Sequence, residues 1–434
     1  MEVEKMHKDQ YETIGETIYK EKLPNGLTVA LLPKQEMSKT YAIFATNYGS
    51  IDQQFVPLGG TEEIRVPEGI AHFLEHKLFE KEDRDVFQDF GRQGASANAY
   101  TSFSTTAYLF SATDNIIENT KTLIDFVQDP YFSEASVNKE KGIIAQEIKM
   151  YDDQPDWQSF MGTIKSMFRN HPVNIDIAGT VESIQDITKD DLYTCYNTFY
   201  HPENMTLFIA GNFDADTMMN MIQDNQSAKS FAPLADIKRS YPDEPEAVAE
   251  KEKVMKMAIS IPKCIVGIKE ASVPQEPEAF IKRDLYLDIV MDHYYSKGGA
   301  FYQDLYQSGL IDSSFYYETT LEKNFGYSMI GSNAQKPDCF AEKVMAQLLS
   351  LKDAKISEAD FEKLKKKKIG QILRSMNSLE YISNQYIHYQ AVGFDFFQLI
   401  PVLESVTAEE INAFLNSWIA EERLAVCKIV PENS

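Results

Sequence analysis

Phe87-Gln88-Asp89-Phe90, with Gly94 four positions on, recurs without a gap as Tyr302-Gln303-Asp304-Leu305 with Gly309, an offset of 215 residues. Farther along, Phe132-Ser133-Glu134-Ala135 has a counterpart in Ile356-Ser357-Glu358-Ala359 at an offset of 224, and a lysine-rich helical stretch follows each. Half the chain is 217 residues. Two matches in the same order at nearly that offset point to duplication of one unit. Short β-branched runs alternate with amphipathic stretches, so the unit reads as α+β, an antiparallel sheet flanked by helices. Ser227 to Glu252 holds Pro233, Pro242, Pro245 and clustered charges with no regular period. We therefore expect a first domain over 1–230, a linker over 231–252 and a homologous second domain over 253–434.

Each half is long enough to bury its own core. The formal charge of -24 and pI near 4.7 oppose binding to nucleic acid and to anionic membranes, which are themselves negative. Cys195, Cys264, Cys339 and Cys427 stand far apart with no CxxC pair, so they read as reduced core thiols and not as a zinc ribbon or disulfide framework. The stretch from Met1 to Lys22 is charged without an apolar run, and no later run approaches membrane-spanning length. A cytoplasmic location is expected.

Locally, residues 26–32 and 41–46 read as strands, 69–79 as a helix, 95–110 as strand and 133–150 as a second, longer helix. On the first of these helices lies His72-Phe73-Leu74-Glu75-His76, an HxxEH pattern that composition would produce by chance with a probability of about 0.01. At roughly 100° per residue its three polar side chains share one face. Two neutral imidazoles at i and i+4 are zinc ligands by type and spacing, and Glu75 between them is placed to accept a proton from water that zinc polarises. A surface helix with two histidines and an acid would look the same. A third ligand must come from elsewhere. Glu140 and Glu147, seven residues or nearly two turns apart, share a face of the long helix. Glu147 stands among Ile143, Ile144 and Ile148, where a metal partner accounts for a carboxylate that is otherwise costly to bury, whereas Glu140, between Lys139 and Lys141, suits a supporting or a solvated role.

HFLEH at 72–76, KEKGIIAQEI at 139–148, GASANAYTS at 94–102, IAGTVESI at 177–184 and YHPENMTLFIAGNFD at 200–214 together resemble the pitrilysin, insulinase and mitochondrial processing peptidase family of inverted-motif zinc metallopeptidases. The likeness is greatest to half-length bacterial members. It implies a zinc-dependent peptidase with His72, His76 and Glu147 as ligands, Glu75 as base and Glu140 as a supporting catalytic carboxylate. It also implies that Asn98 and Ala99 lie on an edge strand that pairs with the backbone of an extended peptide, substrate adding as one more strand.

The second half lacks this site: at the two offsets His72, Glu75, His76 and Glu147 correspond to Leu287, Val290, Met291 and Gln371. The resemblance makes it a silent copy that walls a substrate chamber. One departure concerns an Arg and a Tyr that family members place on the substrate carbonyl. Tyr306 and Asp312 occupy those positions. Either Tyr316, Tyr317 or Tyr327 substitutes, or a half-length partner or second copy supplies the donors. A non-cleaving, metal-binding peptide-capture or structural subunit is the alternative reading.

Overall fold

Eighteen of the chain's first 33 residues already lie in strands when the sheet is traced from one edge: His7–Tyr11 on Glu16–Lys22, then Thr28–Pro33. The computed structural model describes residues 6–233 and 236–432, so Leu234 and Ala235 of the expected linker lie outside the described residues. The first sheet has seven strands, continuing through Met205–Gly211, Thr40–Thr46, Thr106–Ala112 and Ser96–Thr101. Every pairing is antiparallel except Thr28–Pro33 with Met205–Gly211. The second sheet has five strands in the order Glu252–Met257, Leu424–Pro431, Lys263–Lys269, Gly326–Asn333, Tyr316–Leu321. Here too a single parallel pairing, Glu252–Met257 with Leu424–Pro431, begins the series and the rest are antiparallel.

Strand order, pairing sense and chain order thus coincide between the second sheet and the last five strands of the first. The duplicated α+β architecture follows from that coincidence. Its short sequence signature sits where the backbone demands it. Phe87-Gln88-Asp89-Phe90 lies in the helix Val86–Arg92 and Tyr302-Gln303-Asp304-Leu305 in Ala300–Gln307. Phe90 and Leu305 are buried at equivalent positions, and Gly94 and Gly309 both take the left-handed conformation that a side chain disfavours.

The compact units are not contiguous in sequence. One comprises residues 1–148, 175–241 and 373–391, the other 149–174, 242–372 and 392–434. The helix Pro155–Met167 packs on Lys263–Lys269 and Leu424–Pro431, while Leu379–Ala391 packs on Thr40–Thr46 and Met205–Gly211. These are equivalent strands of the two sheets, so each repeat contributes one helix to the other repeat's sheet. The fit is close: a Cβ on Gly267 would stand 2.7 Å from Thr163 Cγ2. On the first sheet, Tyr386 stacks on Phe208 with ring centroids 4.4 Å apart.

The helix expected over 69–79 runs Ile70–Leu78, and the one over 133–150 runs Glu134–Asp152. The stretch 95–110 is a hairpin, broken at Ser102, whose Oγ accepts from the Thr105 amide at 3.0 Å. Of the four free cysteines, Cys195, Cys264 and Cys427 are buried as expected. Cys339 is exposed, because it falls on the solvent side of the first turn of the helix Pro337–Ser350. Among the described residues no helix is long and apolar enough to cross a membrane.

Candidate metal centre

Nine residues make too short a helix to persist alone in water. Ile70–Leu78 is held by its buried face: Ile70, Phe73, Leu74 and Leu78 are sequestered in the core of the first unit, each contributing roughly 1.5–3 kcal/mol. Its start is fixed by a close backbone approach. Gly69, at φ 86°, precedes the first turn, and a Cβ there would meet Ala178 O at 2.3 Å; across the contact Gly179, at φ 75°, faces Glu68 O. Ser183 Oγ donates to the same Glu68 carbonyl at 3.0 Å. The segment 177–184 therefore locks the entry of the helix that bears the motif.

The remaining face brings His72 and His76 together, ring centroids 4.5 Å apart, opposite the long helix Glu134–Asp152. Glu147 reaches both: its Oε1 lies 3.8 Å from His72 Nε2 and its Oε2 3.5 Å from His76 Nε2. Among the described residues these three form the one group able to hold a metal ion, with ligand atoms within 4.8 Å of one another. Two ligands at about 2.0–2.1 Å across a tetrahedral zinc stand roughly 3.3–3.5 Å apart; two imidazoles and a carboxylate fit that ion in number and type, and the two Glu147 spacings lie at or a few tenths of an ångström above that range.

Glu140, one of the two candidates on the long helix, does not join the ligand group. Its Oε1 is 3.1 Å from His76 Nδ1, which orients the ring with Nε2 toward Glu147. Its side chain is the more buried of the two, 11% exposed against 24% for Glu147. Burial pushes the Glu140 carboxyl up, but the His76 hydrogen bond and the charges of His76, Lys77 and Lys139 hold it below the ordinary range. Lys77, the residue after the motif, is wholly buried and bridges Glu80 and Glu140. Sequence reading did not single it out.

The two imidazoles differ. Burial, and then the neighbouring His76, push His72 down to about 3, and its Nδ1 is buried without a hydrogen-bond partner. For His76 burial acts in the same direction, yet the Glu140 hydrogen bond and the charges of Glu75, Glu147 and Glu140 raise it above its ordinary value.

Glu75 is buried on the same helix and is not among the ligand atoms. Burial raises its carboxyl; a hydrogen bond from Thr101 Oγ1 at 2.8 Å and the charge of His76 oppose that, while Glu147 adds to it. Thr101 ends the strand Ser96–Thr101, which is the outer edge of the seven-stranded sheet and carries Asn98 and Ala99. Ser102 N–H donates to Thr105 O, so hydrogen-bonded pairs alternate from the turn and Ala97, Ala99 and Thr101 turn their backbone groups to the unpaired side. There the Ala99 N–H is covered by Asn98 Oδ1 at 3.0 Å.

In the second unit Leu287, Val290 and Met291 are fully buried apolar residues of the helix Pro277–Tyr295. Tyr306 is exposed; Asp312 accepts from the Ser314 amide at 2.8 Å and from Asn333 Nδ2 at 3.3 Å. Tyr317 donates to Asp292 at 2.9 Å and Tyr327 is buried.

The chain is similar to known proteins along nearly its whole length. The sequence profile described as "Insulinase (Peptidase family M16)" matches residues 54–181, and "Peptidase M16 inactive domain" matches 186–368. "Uncharacterized zinc protease YmfH" of Bacillus subtilis (strain 168) is 50% identical over 98% of this chain and 99% of its own. The crystal structure of a putative M16-like peptidase from Alicyclobacillus acidocaldarius, 41% identical, superposes over 96% of this chain and 99% of its own with a TM-score of 0.92. Pitrilysin, at 14% identity, shares the fold with a TM-score of 0.77, and this chain covers 46% of it. The chain belongs to the insulinase, or M16, peptidase family.

Proposed function

We propose that this chain is a zinc-dependent endopeptidase or oligopeptidase acting on short or unfolded peptides. The observation that carries the reading is the convergence of His72, His76 and Glu147 at ligand spacing, with Glu75 buried beside them but left out of the ligand set. A bound zinc would supply Lewis acidity, polarising the scissile carbonyl and easing the deprotonation of water. Glu75, held by Thr101, takes the proton and passes it to the leaving amine. Glu140 keeps His76 Nε2 free to face the ligand position. The outward backbone of Ala97, Ala99 and Thr101 pairs with the substrate, the peptide N–H and C=O groups continuing the sheet. The second repeat, assigned to 253–434 after a linker at 231–252, has no counterpart of the site.

Peptidase activity further depends on a second chain, either a half-length homologue or another copy of this one. Asp312 supports this reading, since a carboxylate held low by its Ser314 hydrogen bonds cannot stabilise a developing oxyanion. The same observation favours the alternative, a metal-binding subunit that captures peptides without cleaving them. Cleavage of a quenched peptide at several chain concentrations tests the proposal. Turnover per chain that rises with concentration, or on adding a half-length partner that carries the Arg and Tyr donors, is expected; concentration-independent activity of a monomer contradicts the partner requirement.

A further inference from the structure

A lysine with no exposed side-chain area is unusual, because a buried ammonium costs several kcal/mol unless it is paired. Lys77 occupies such a position immediately after the metal-helix motif, on the core side of a helix whose other buried residues are mostly apolar. An unbranched apolar residue of similar length would pack there without that cost. The ammonium is compensated by two carboxylates: Glu80, one turn on, to which it donates, and Glu140, whose Oε2 is 3.9 Å away. Glu140 uses its other oxygen, Oε1, on His76 Nδ1. The three groups form a chain from the helix core to an imidazole: ammonium, carboxylate, ring N–H.

We propose that Lys77 is a positioning residue, which by pairing with one oxygen of Glu140 fixes the other on His76 Nδ1 and so selects the ring tautomer that leaves the Nε2 lone pair facing Glu147. A carboxylate with one oxygen unpaired can rotate away from the His76 Nδ1–H that it accepts; with an ammonium beside its second oxygen that rotation is opposed. Lys77 touches neither ligand position nor substrate and acts only through Glu140. His72 has no such backing, since its Nδ1 is without a partner. The selection therefore falls on one of the two imidazoles. The metal-binding consequence rests on the proposed zinc site; the tautomer itself does not.

The test is nitrogen NMR of the histidine rings in metal-free protein at alkaline pH, where the neutral tautomers are read directly, together with zinc affinity by chelator competition. Lys77→Met is expected to convert the His76 signals from a single Nδ1–H form to a mixture, leave His72 unchanged and weaken zinc by about tenfold. Lys77→Arg should restore the single form, and Glu80→Gln, which leaves the Glu140 pairing in place, should not disturb it. If Lys77→Met does not fold, Lys77→Gln is read in its place. Unchanged His76 signals in a folded neutral variant overturn the proposal. A wild-type chain that binds no zinc sinks the metal reading and leaves the tautomer result to decide this one.

Discussion

Thr101 Oγ1 donates to Glu75 Oε2 at 2.8 Å, so the strand at the sheet edge holds the group assigned as base. The bond is one of the influences that keep the buried Glu75 carboxyl from rising further. Thr101→Val removes the donor with little change of shape. The carboxyl should then titrate at higher pH and be ionised in a smaller fraction of molecules. The expected result is a shift of the acid limb of the kcat/KM profile to higher pH and a loss of about tenfold in neutral solution, with zinc content unchanged, consistent with about 1.5–3 kcal/mol for a hydrogen bond to a charged group. An unmoved acid limb would detach Thr101 from the base.

Ala99 presents its N–H to the unpaired edge, where Asn98 Oδ1 is its partner in the free protein. Ala99→Pro deletes that donor without removing a ladder bond, since proline is tolerated on an edge strand whose N–H faces outward. Thermal stability and zinc content should stay near wild type while kcat/KM falls about tenfold. Undiminished turnover would sink the idea that substrate pairs with this strand.

Much of the site was legible because chemistry and periodicity coincide there. His72, Glu75 and His76 fall within one helical arc whatever the tertiary structure, and Glu140 and Glu147 share a face for the same reason. Thr101 and Lys77 were not legible. The first matters only because the edge strand runs beside the metal helix, a relation that no local pattern encodes; the second reads as a surface charge until its burial is known. The exchange of Pro155–Met167 and Leu379–Ala391 was hidden likewise, as an apolar helix face says that something covers it and not which sheet. The repeat itself was visible through residues with a strict backbone or packing role, Gly94 with Gly309 and Phe90 with Leu305.

Glu147 and Glu140 should separate on substitution. Glu147→Gln removes an anionic ligand and should reduce zinc occupancy sharply. Glu140→Gln loses the carboxylate behind His76 and should weaken binding by only about 10- to 100-fold. Chelator competition on both variants measures this, and the reverse order would exchange their roles.

Near pH 6.5 zinc uptake should displace at most one proton from the two rings, not two, since binding requires neutral imidazoles. His72, pushed down to about 3, is already neutral there, whereas His76, raised above 6.5, must give up its proton. The sign follows: affinity falls as pH drops through the His76 range, and the slope in that window is that of a single group. Calorimetry in buffers of different ionisation enthalpy, on Glu75→Gln so that the base adds no proton, reads the number; release of two would contradict the asymmetry of the two rings.

The most direct test of the central claim is one experiment on two proteins, wild type and Glu75→Gln, assayed for bound zinc and for cleavage of a quenched peptide on the same samples, with the candidate partner chain present. The account predicts about one zinc per chain in both and turnover in the wild type alone, reduced by at least about 10²-fold in the variant. Equal cleavage by the two proteins, or loss of zinc from Glu75→Gln, would contradict it.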